Sequence, residues 1–276
     1  MAQGETTMKK LLTLLFTLVL TAGCLLGLTA CGNDTKYVVN ALSGAQDEQY
    51  GFIVGKNATK KDDILAAMNK VIGENDIDKL VTYFTSVSNN ETPTETVPAV
   101  DLSSCTGGTL KVYTNSGFEP YEFYDSNNNL VGVDMYLMLL VGKELNMKVT
   151  FEDIDFDFII GKVQTEDNAV GAAGLTIDPE RDVAFSDAYY SSVQCIISAE
   201  ADNFKTLESL KGKTIAVQKG TTGNTLILDA IQNGVLKDSG AKIIEAKDGA
   251  TAFTNLKQGK CDVVVIDELP AKKLVG

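Results

Sequence analysis

The chain has 276 residues, enough for two lobes of about 100 residues each. Its hydrophobic content of 44% with only five prolines argues for a packed core and against disorder. The formal charge of −13 repels nucleic-acid phosphates and anionic lipid alike, which excludes a nucleic-acid partner and means that membrane attachment needs a specific device.

A device of that kind occupies the N-terminus. Lys9 and Lys10 precede an apolar run from Leu11 to about Leu28, and Leu28-Thr29-Ala30-Cys31 follows. Residues 1–30 thus read as an export signal with its n-region, h-region and small-residue site. The ending resembles the bacterial lipobox, in which the cysteine is acylated, palmitate included, and becomes the mature N-terminus; that implies a lipid on Cys31. The run is also long enough to span a bilayer as an anchor, but the polar stretch Gly32–Lys36 directly after the cysteine speaks for cleavage. Cys24 is a weaker site, since no Leu stands at the third position before it and apolar residues follow. Cys105, Cys195 and Cys261 lie far apart with no CxxC spacing, so no metal or redox site is indicated. A disulfide among the three is not deducible from spacing, and Cys195, inside the apolar run 193–198, reads as a buried free thiol.

Residues 37–41 form a short β-rich segment and 51–54 a second strand. Thr59 with Asp62 has the spacing of a capping box, and Ile64, Leu65, Met68, Val71 and Ile72 then fall on one face of a helix. A second helix carries Ile77, Leu80, Val81 and Phe84. Residues 86–108 are polar, Thr/Pro-rich and aperiodic, so they read as a linker. A regular alternation follows: strand 109–114, helix 133–145, strand 148–152, helix 157–165, strand 169–176 and strand 193–198. It continues with a helix near 206–211, strand 214–218, helix 223–233, strand 242–246, helix 249–258, strand 262–266 and a last helix from about Glu268 to Val275.

Strands and helices at this interval imply βαβ crossovers and mainly parallel sheets. Ligands of such sheets sit beyond the carboxyl ends of the strands. That rule alone marks Asn115–Phe118, Gly174–Arg181, Gly220–Gly223 and Asp267.

Four stretches in order, residues 114–123, 172–190, 212–225 and 259–267, behind the lipobox, resemble the polar amino-acid substrate-binding proteins of bacterial ABC importers, solute-binding protein family 3. The resemblance covers nearly everything from Tyr37 to Gly276 and implies a two-lobed type II periplasmic-binding-protein fold, α/β throughout, with two hinge strands near 43–49 and 197–203. It implies that Arg181 grips the ligand α-carboxylate, as a planar bidentate guanidinium suits. Thr176 and the Gly174 backbone would complete the first lobe's contacts, and Thr222 would offer its N–H at a helix N-terminus. Asp267 would pair with the α-ammonium, Phe118 and Phe156 would sandwich the side chain, and Asn115 and Gln218 would set selectivity. Each residue also has a plain structural reading: Arg181 as a solvated turn charge, Asp267 as a helix cap, the two Phe as core, and the Gly220–Gly223 loop as a structural turn.

Two departures from the family pattern stand out. Many relatives carry an acid at the Asn115 position, so a neutral Asn weakens lysine or arginine as ligand and suits a neutral polar amino acid or cystine better. The order of the pieces also differs: elements that end the family's chain appear here at 37–85. The sequence therefore reads as a circular permutation, with lobe I from 48–85 and 109–198, lobe II from 37–46 and 203–276, and 86–108 joining the original termini. A fusion or truncation is the competing account, disfavoured because each element occurs once and no long repeat exists. The implied role is a monomeric, lipid-anchored receptor on the outer face of the cell membrane, without cofactor, passing an amino acid to an ABC permease. The rivals are a dehydratase of the prephenate/arogenate type, weakened by the absence of His, and an amino-acid sensor domain.

Overall fold

The computed structural model describes residues 35–276, so Cys31 and the export signal lie outside the described residues. In chain order the strands are β1 (Tyr37–Ala41), β2 (Glu48–Tyr50), β3 (Ile53–Val54), β4 (Thr109–Thr114), β5 (Phe123–Tyr124), β6 (Leu130–Val131), β7 (Lys148–Asp153), β8 (Ala169–Gly171), β9 (Ala184–Phe185), β10 (Tyr190–Ser192), β11 (Gln194–Ala199), β12 (Thr214–Gln218), β13 (Lys242–Ala246) and β14 (Val263–Asp267). The helices are α1 (Lys61–Glu74), α2 (Ile77–Ser88), α3 (Val133–Glu144), α4 (Ile159–Thr165), α5 (Thr222–Gln232), α6 (Gly249–Lys257) and α7 (Glu268–Val275). None of them is long and apolar enough to cross a membrane.

Two five-stranded sheets carry the fold, in orders β7-β4-β8-β3-β9 and β1-β11-β14-β12-β13. Each is mixed, which corrects the expectation of mainly parallel sheets. The crossovers through α3 and α4 lay β7, β4 and β8 parallel, and those through α5 and α6 do the same for β13, β12 and β14. β3 runs antiparallel to its neighbours β8 and β9, and β11 antiparallel to its neighbours β1 and β14, so one reversed strand makes each sheet mixed.

The continuous apolar run in β14 shows why these strands lack an alternating polar face. Val263 and Val265 pack into one core cluster and Val264 and Ile266 into the other, so both faces are covered. α3 is apolar on more than one side for a similar reason. Its Met135, Leu137, Met138 and Val141 meet the sheet and also Ile64, Met68, Leu80 and Phe84 of α1 and α2, which pack over it. The early segment 61–88 is therefore the outer cover of the first sheet, built around residues that follow it in the chain.

β1 lies in the second sheet, paired with β11 from Tyr37↔Ala199 to Ala41↔Cys195, and β3 lies in the first, beside β8 and β9. The chain crosses between the sheets twice, through β2 and β10, which pair as a separate ribbon (Tyr190↔Tyr50, Ser192↔Glu48). Two expectations need correction here. Residues 193–198 were assigned to the first lobe, yet β11 lies between β1 and β14 in the second sheet. The later crossing therefore falls at 190–193 and not near 197–203. An apolar run such as Val193–Ser198 satisfies either core, and only its hydrogen-bond partners decide. The linker reading of 86–108 needs one refinement: its start belongs to α2, and its end is tied to the first sheet's helix layer by Gly107 N–H to the Asn146 carbonyl at 2.7 Å.

The capping box at Thr59 does not form. α1 begins at Lys61 with no side-chain cap, and the Thr59 N–H and hydroxyl both donate to the Asp167 carboxylate at 3.1 and 3.2 Å. Cys105, Cys195 and Cys261 are free and buried.

Candidate functional site

All nine residues singled out in the sequence line one cleft of about 450 Å³ between the carboxyl ends of the two sheets. From the first sheet come Asn115 and Phe118 after β4, Phe156 after β7, and Gly174, Thr176 and Arg181 after β8. From the second come Gln218 at the end of β12, Thr222 opening α5, and Asp267 at the end of β14. Glu122, Ala173, Thr221, Val265 and Ile266 line it as well. Among the described residues no cluster of acids and cysteines is arranged to hold a metal ion.

Arg181 is no solvated turn charge. Its side chain is 13% exposed; among the described residues its one ion-pair partner is Asp178 at 3.9 Å, and the buried Nη1 has no hydrogen-bond partner. Burial pushes its pKa below the usual arginine range, with Asp178 and Glu48 opposing. An unpaired buried donor on a cation costs on the order of 1–3 kcal/mol unless an anion meets it. Two residues lining the same cleft have N–H groups without a backbone acceptor among the described residues. Thr222 is the first residue of α5, where no helical carbonyl reaches its N–H. The Tyr50–Thr176 bridge is made by Gly51 N–H to Leu175 O and Ile177 N–H to Gln49 O, leaving the peptide groups of Thr176 itself outside that pairing.

Asp267 stands at the N-cap position of α7 yet makes no side-chain cap bond. Its carboxylate instead accepts from the Tyr50 hydroxyl and from Gln194 Nε2 at 2.8 Å. Burial and the nearby Glu48 charge raise its pKa to about 7, and those two donors hold it from rising further. A cation arriving beside Asp267 would restore its ionised form.

Gly174 is required by geometry. Its φ is +53°, and a Cβ there would come within 2.5 Å of Phe118 Cε1, so Phe118 packs directly over the backbone. The Gly174 N–H is already given to Asp134 Oδ2 at 3.1 Å, which leaves its carbonyl for a ligand donor. Asp134 is buried with its pKa raised to about 7, and also accepts from the Tyr189 hydroxyl at 2.6 Å. Glu122, beside it, has its pKa raised well above the carboxylate range by burial, and its Oε2 has no hydrogen-bond partner among the described residues. At the other end, Asn115 Nδ2 donates to the Ile154 carbonyl at 2.7 Å and its Oδ1 accepts from Gln218 Nε2 at 2.8 Å, a bond that joins the two sides of the cleft. Lys219 and Asp157 make a second link at the rim, 2.7 Å long and half exposed, which contributes little by itself.

Sequence reasoning missed Glu48, Tyr50, Gln194 and Glu122, and reached Thr221 only as part of the Gly220–Gly223 loop. Two signals were available. Glu48 and Tyr50 are two apart in β2 and so share a face, and Gln194 is a long polar side chain opening a buried strand whose next three residues are apolar.

A family model described as bacterial extracellular solute-binding proteins, family 3, matches residues 110–247. The chain is similar to the putative ABC transporter arginine-binding protein 2 of Escherichia coli (strain K12), 30% identical over 135 residues, 48% of this chain and 55% of that one. It is 27% identical over 161 residues to the arginine-binding extracellular protein ArtP of Bacillus subtilis (strain 168), 58% of this chain and 61% of that one. The chain thus spans less than two thirds of the length of these curated relatives. Among solved structures, an ancestral arginine-binding protein bound to arginine superposes with a TM-score of 0.57 at 39% identity, covering 62% of this chain and 74% of that one.

Proposed function

The chain belongs to the bacterial extracellular solute-binding proteins, family 3, and from that premise we propose that it is a receptor that closes on one polar α-amino acid and delivers it to an ABC importer. The observation that carries this reading is the unpartnered, buried Arg181 Nη1 in a cleft whose opposite wall holds Asp267. A cation at one end and a carboxylate at the other match the − and + ends of a free amino acid. Phe118 and Phe156 supply apolar walls for its side chain, and Asn115 with Gln218 a polar end. Binding energy spent on groups from both sheets favours the closed arrangement, the signal a transporter would read. No catalytic role is assigned to the cleft, and the names of the relatives, all binding proteins, support that.

The reading extends to a protein held at the outer face of the membrane through a lipid on Cys31 and acting as a monomer. It also extends to a permuted order of elements, supported by β1 lying in the second sheet, β3 in the first, and the family match beginning only at residue 110. The test of the central reading is a thermal-shift and calorimetric screen of the L-amino acids, cystine and ornithine. A specific ligand raises the midpoint in proportion to the logarithm of its concentration. The names of the relatives put L-arginine first on the list, and the neutral Asn115–Gln218 pair puts L-glutamine beside it. A flat response across the whole set refutes the reading.

A further inference from the structure

Glu48 lies beside the cleft, in a depression it lines with Thr176, Gln194 and Thr222, and the receptor reading leaves it without a part. It rides on the hinge strand β2, yet its carboxylate reaches both sides of the cleft. Oε2 accepts from the Thr176 hydroxyl at 2.9 Å and from the Thr222 hydroxyl at 2.9 Å, residues that line the cleft from opposite sheets. Gln194 Nε2 lies 3.2 Å from both Glu48 oxygens and 2.8 Å from Asp267 Oδ1, so one amide bridges the two acids.

A hydroxyl has a single proton, and a carboxylate only accepts. Both threonine protons are therefore committed to Glu48, and what each hydroxyl presents to the cleft is lone pairs. Neither side chain can donate to a ligand carboxylate in this arrangement. That task falls to Arg181 and to the backbone N–H groups. The hydroxyls instead stand as acceptors, together with the Asp267 carboxylate.

We propose that Glu48 is a positioning residue that fixes the Thr176 and Thr222 hydroxyls as acceptors, turning this part of the cleft into a cage selective for the ligand's α-ammonium group. The inference rests on the receptor reading and adds to it a residue 128 and 174 positions away in sequence from the threonines it orients. Glu48 need not touch the ligand. It acts by deciding which way two protons point.

The test uses L-arginine and L-glutamine, each beside its des-amino counterpart (5-guanidinopentanoate and glutaramate), titrated into the wild type, Glu48→Met and Thr222→Val, with competition calorimetry for the weak pairs. Both hydroxyls donate to the one oxygen Oε2, so Glu48→Met removes the acceptor of both at similar side-chain length and frees their protons to turn into the cleft; affinity for the amino acid falls about tenfold or more while that for the des-amino form changes less than twofold. Thr222→Val keeps the β-branched shape and gives the same amino-selective loss, which keeps the test open should Glu48→Met fold poorly. Equal losses for both ligand forms overturn the proposal and make Glu48 a strut between the sheets, as does no loss for either. Where the screen returns a different amino acid, that ligand and its des-amino form take the place of this pair; a wild type that binds no member of the screened set overturns the receptor reading itself, and the role of Glu48 with it.

Discussion

Replacing Arg181 by Met should abolish ligand binding and at the same time leave the empty protein more stable. The two effects share one cause. The guanidinium is held almost out of water, with Nη1 unsatisfied and Asp178 as its distant ion-pair partner at 3.9 Å. In the empty protein that arrangement costs on the order of 1–3 kcal/mol, while the loose, half-exposed Asp178 pair gives back about 1 kcal/mol at most. Met keeps the apolar stem and removes the unpaired donor, so the expected gain is about 1 kcal/mol, a rise in midpoint of about 2–4 °C for a body of this size. For the complex the sign reverses. Removing one partner of a buried, hydrogen-bonded charge pair costs about 2–5 kcal/mol, or roughly 30-fold to several thousand-fold in affinity. Guanidinium chloride unfolding of the ligand-free proteins gives the first number, with an unchanged slope as the check that compactness is the same. Calorimetric titration with L-arginine and L-glutamine gives the second. An empty Arg181→Met protein that is less stable than wild type by more than 1 kcal/mol would show Arg181 to be structural. Affinity retained within about threefold would refute its role in the grip.

Three further outcomes follow from the same geometry. Asp267 and Asp134 are both raised to about 7 in the folded state from an ordinary value near 4, so folding takes up protons between these limits. The stability they contribute is full below about pH 4 and is lost as pH rises through about 7; empty protein should melt lower at pH 8 than at pH 6, whereas affinity for an ammonium-bearing ligand should rise over the same interval as Asp267 ionises. Gly174→Ala should destabilise the fold by about 1–3 kcal/mol and weaken binding, because the new methyl meets Phe118 at a backbone angle that L-residues rarely adopt; a melt within 1 °C of wild type would refute the close packing. A chain reordered as 107–276 followed by 37–88 should fold and bind with the wild-type affinity, since every strand keeps its partners and α2 stays whole; an insoluble or ligand-blind product would refute the permuted reading.

Much of the site is legible in the sequence because its residues follow strands. The loops after β4, β8 and β12 and the end of β14 were marked by position alone, and all converge on one cleft. The alternation of strand and helix likewise sets the parallel core of each sheet. The remaining groups come from elsewhere. Glu48 and Tyr50 belong to a three-residue hinge strand, too short for an alternating pattern to single out its inner face, and they meet Thr222 and Asp267 across 174 and 217 positions.

By itself, then, the sequence determined the longer strands and helices, the presence of βαβ crossovers and the residue types at the strand ends, all of which depend on local pattern. Only the tertiary structure decided which sheet owns β11 and that Thr59 serves Asp167 and not a helix cap. It alone revealed that Asp267 is held by a tyrosine and a glutamine and not spent on its own helix. It also showed that a hinge carboxylate commits two threonine protons. Each of these depends on which polar partner arrives from far along the chain, and a buried donor or acceptor takes whichever partner the packing brings within about 3 Å.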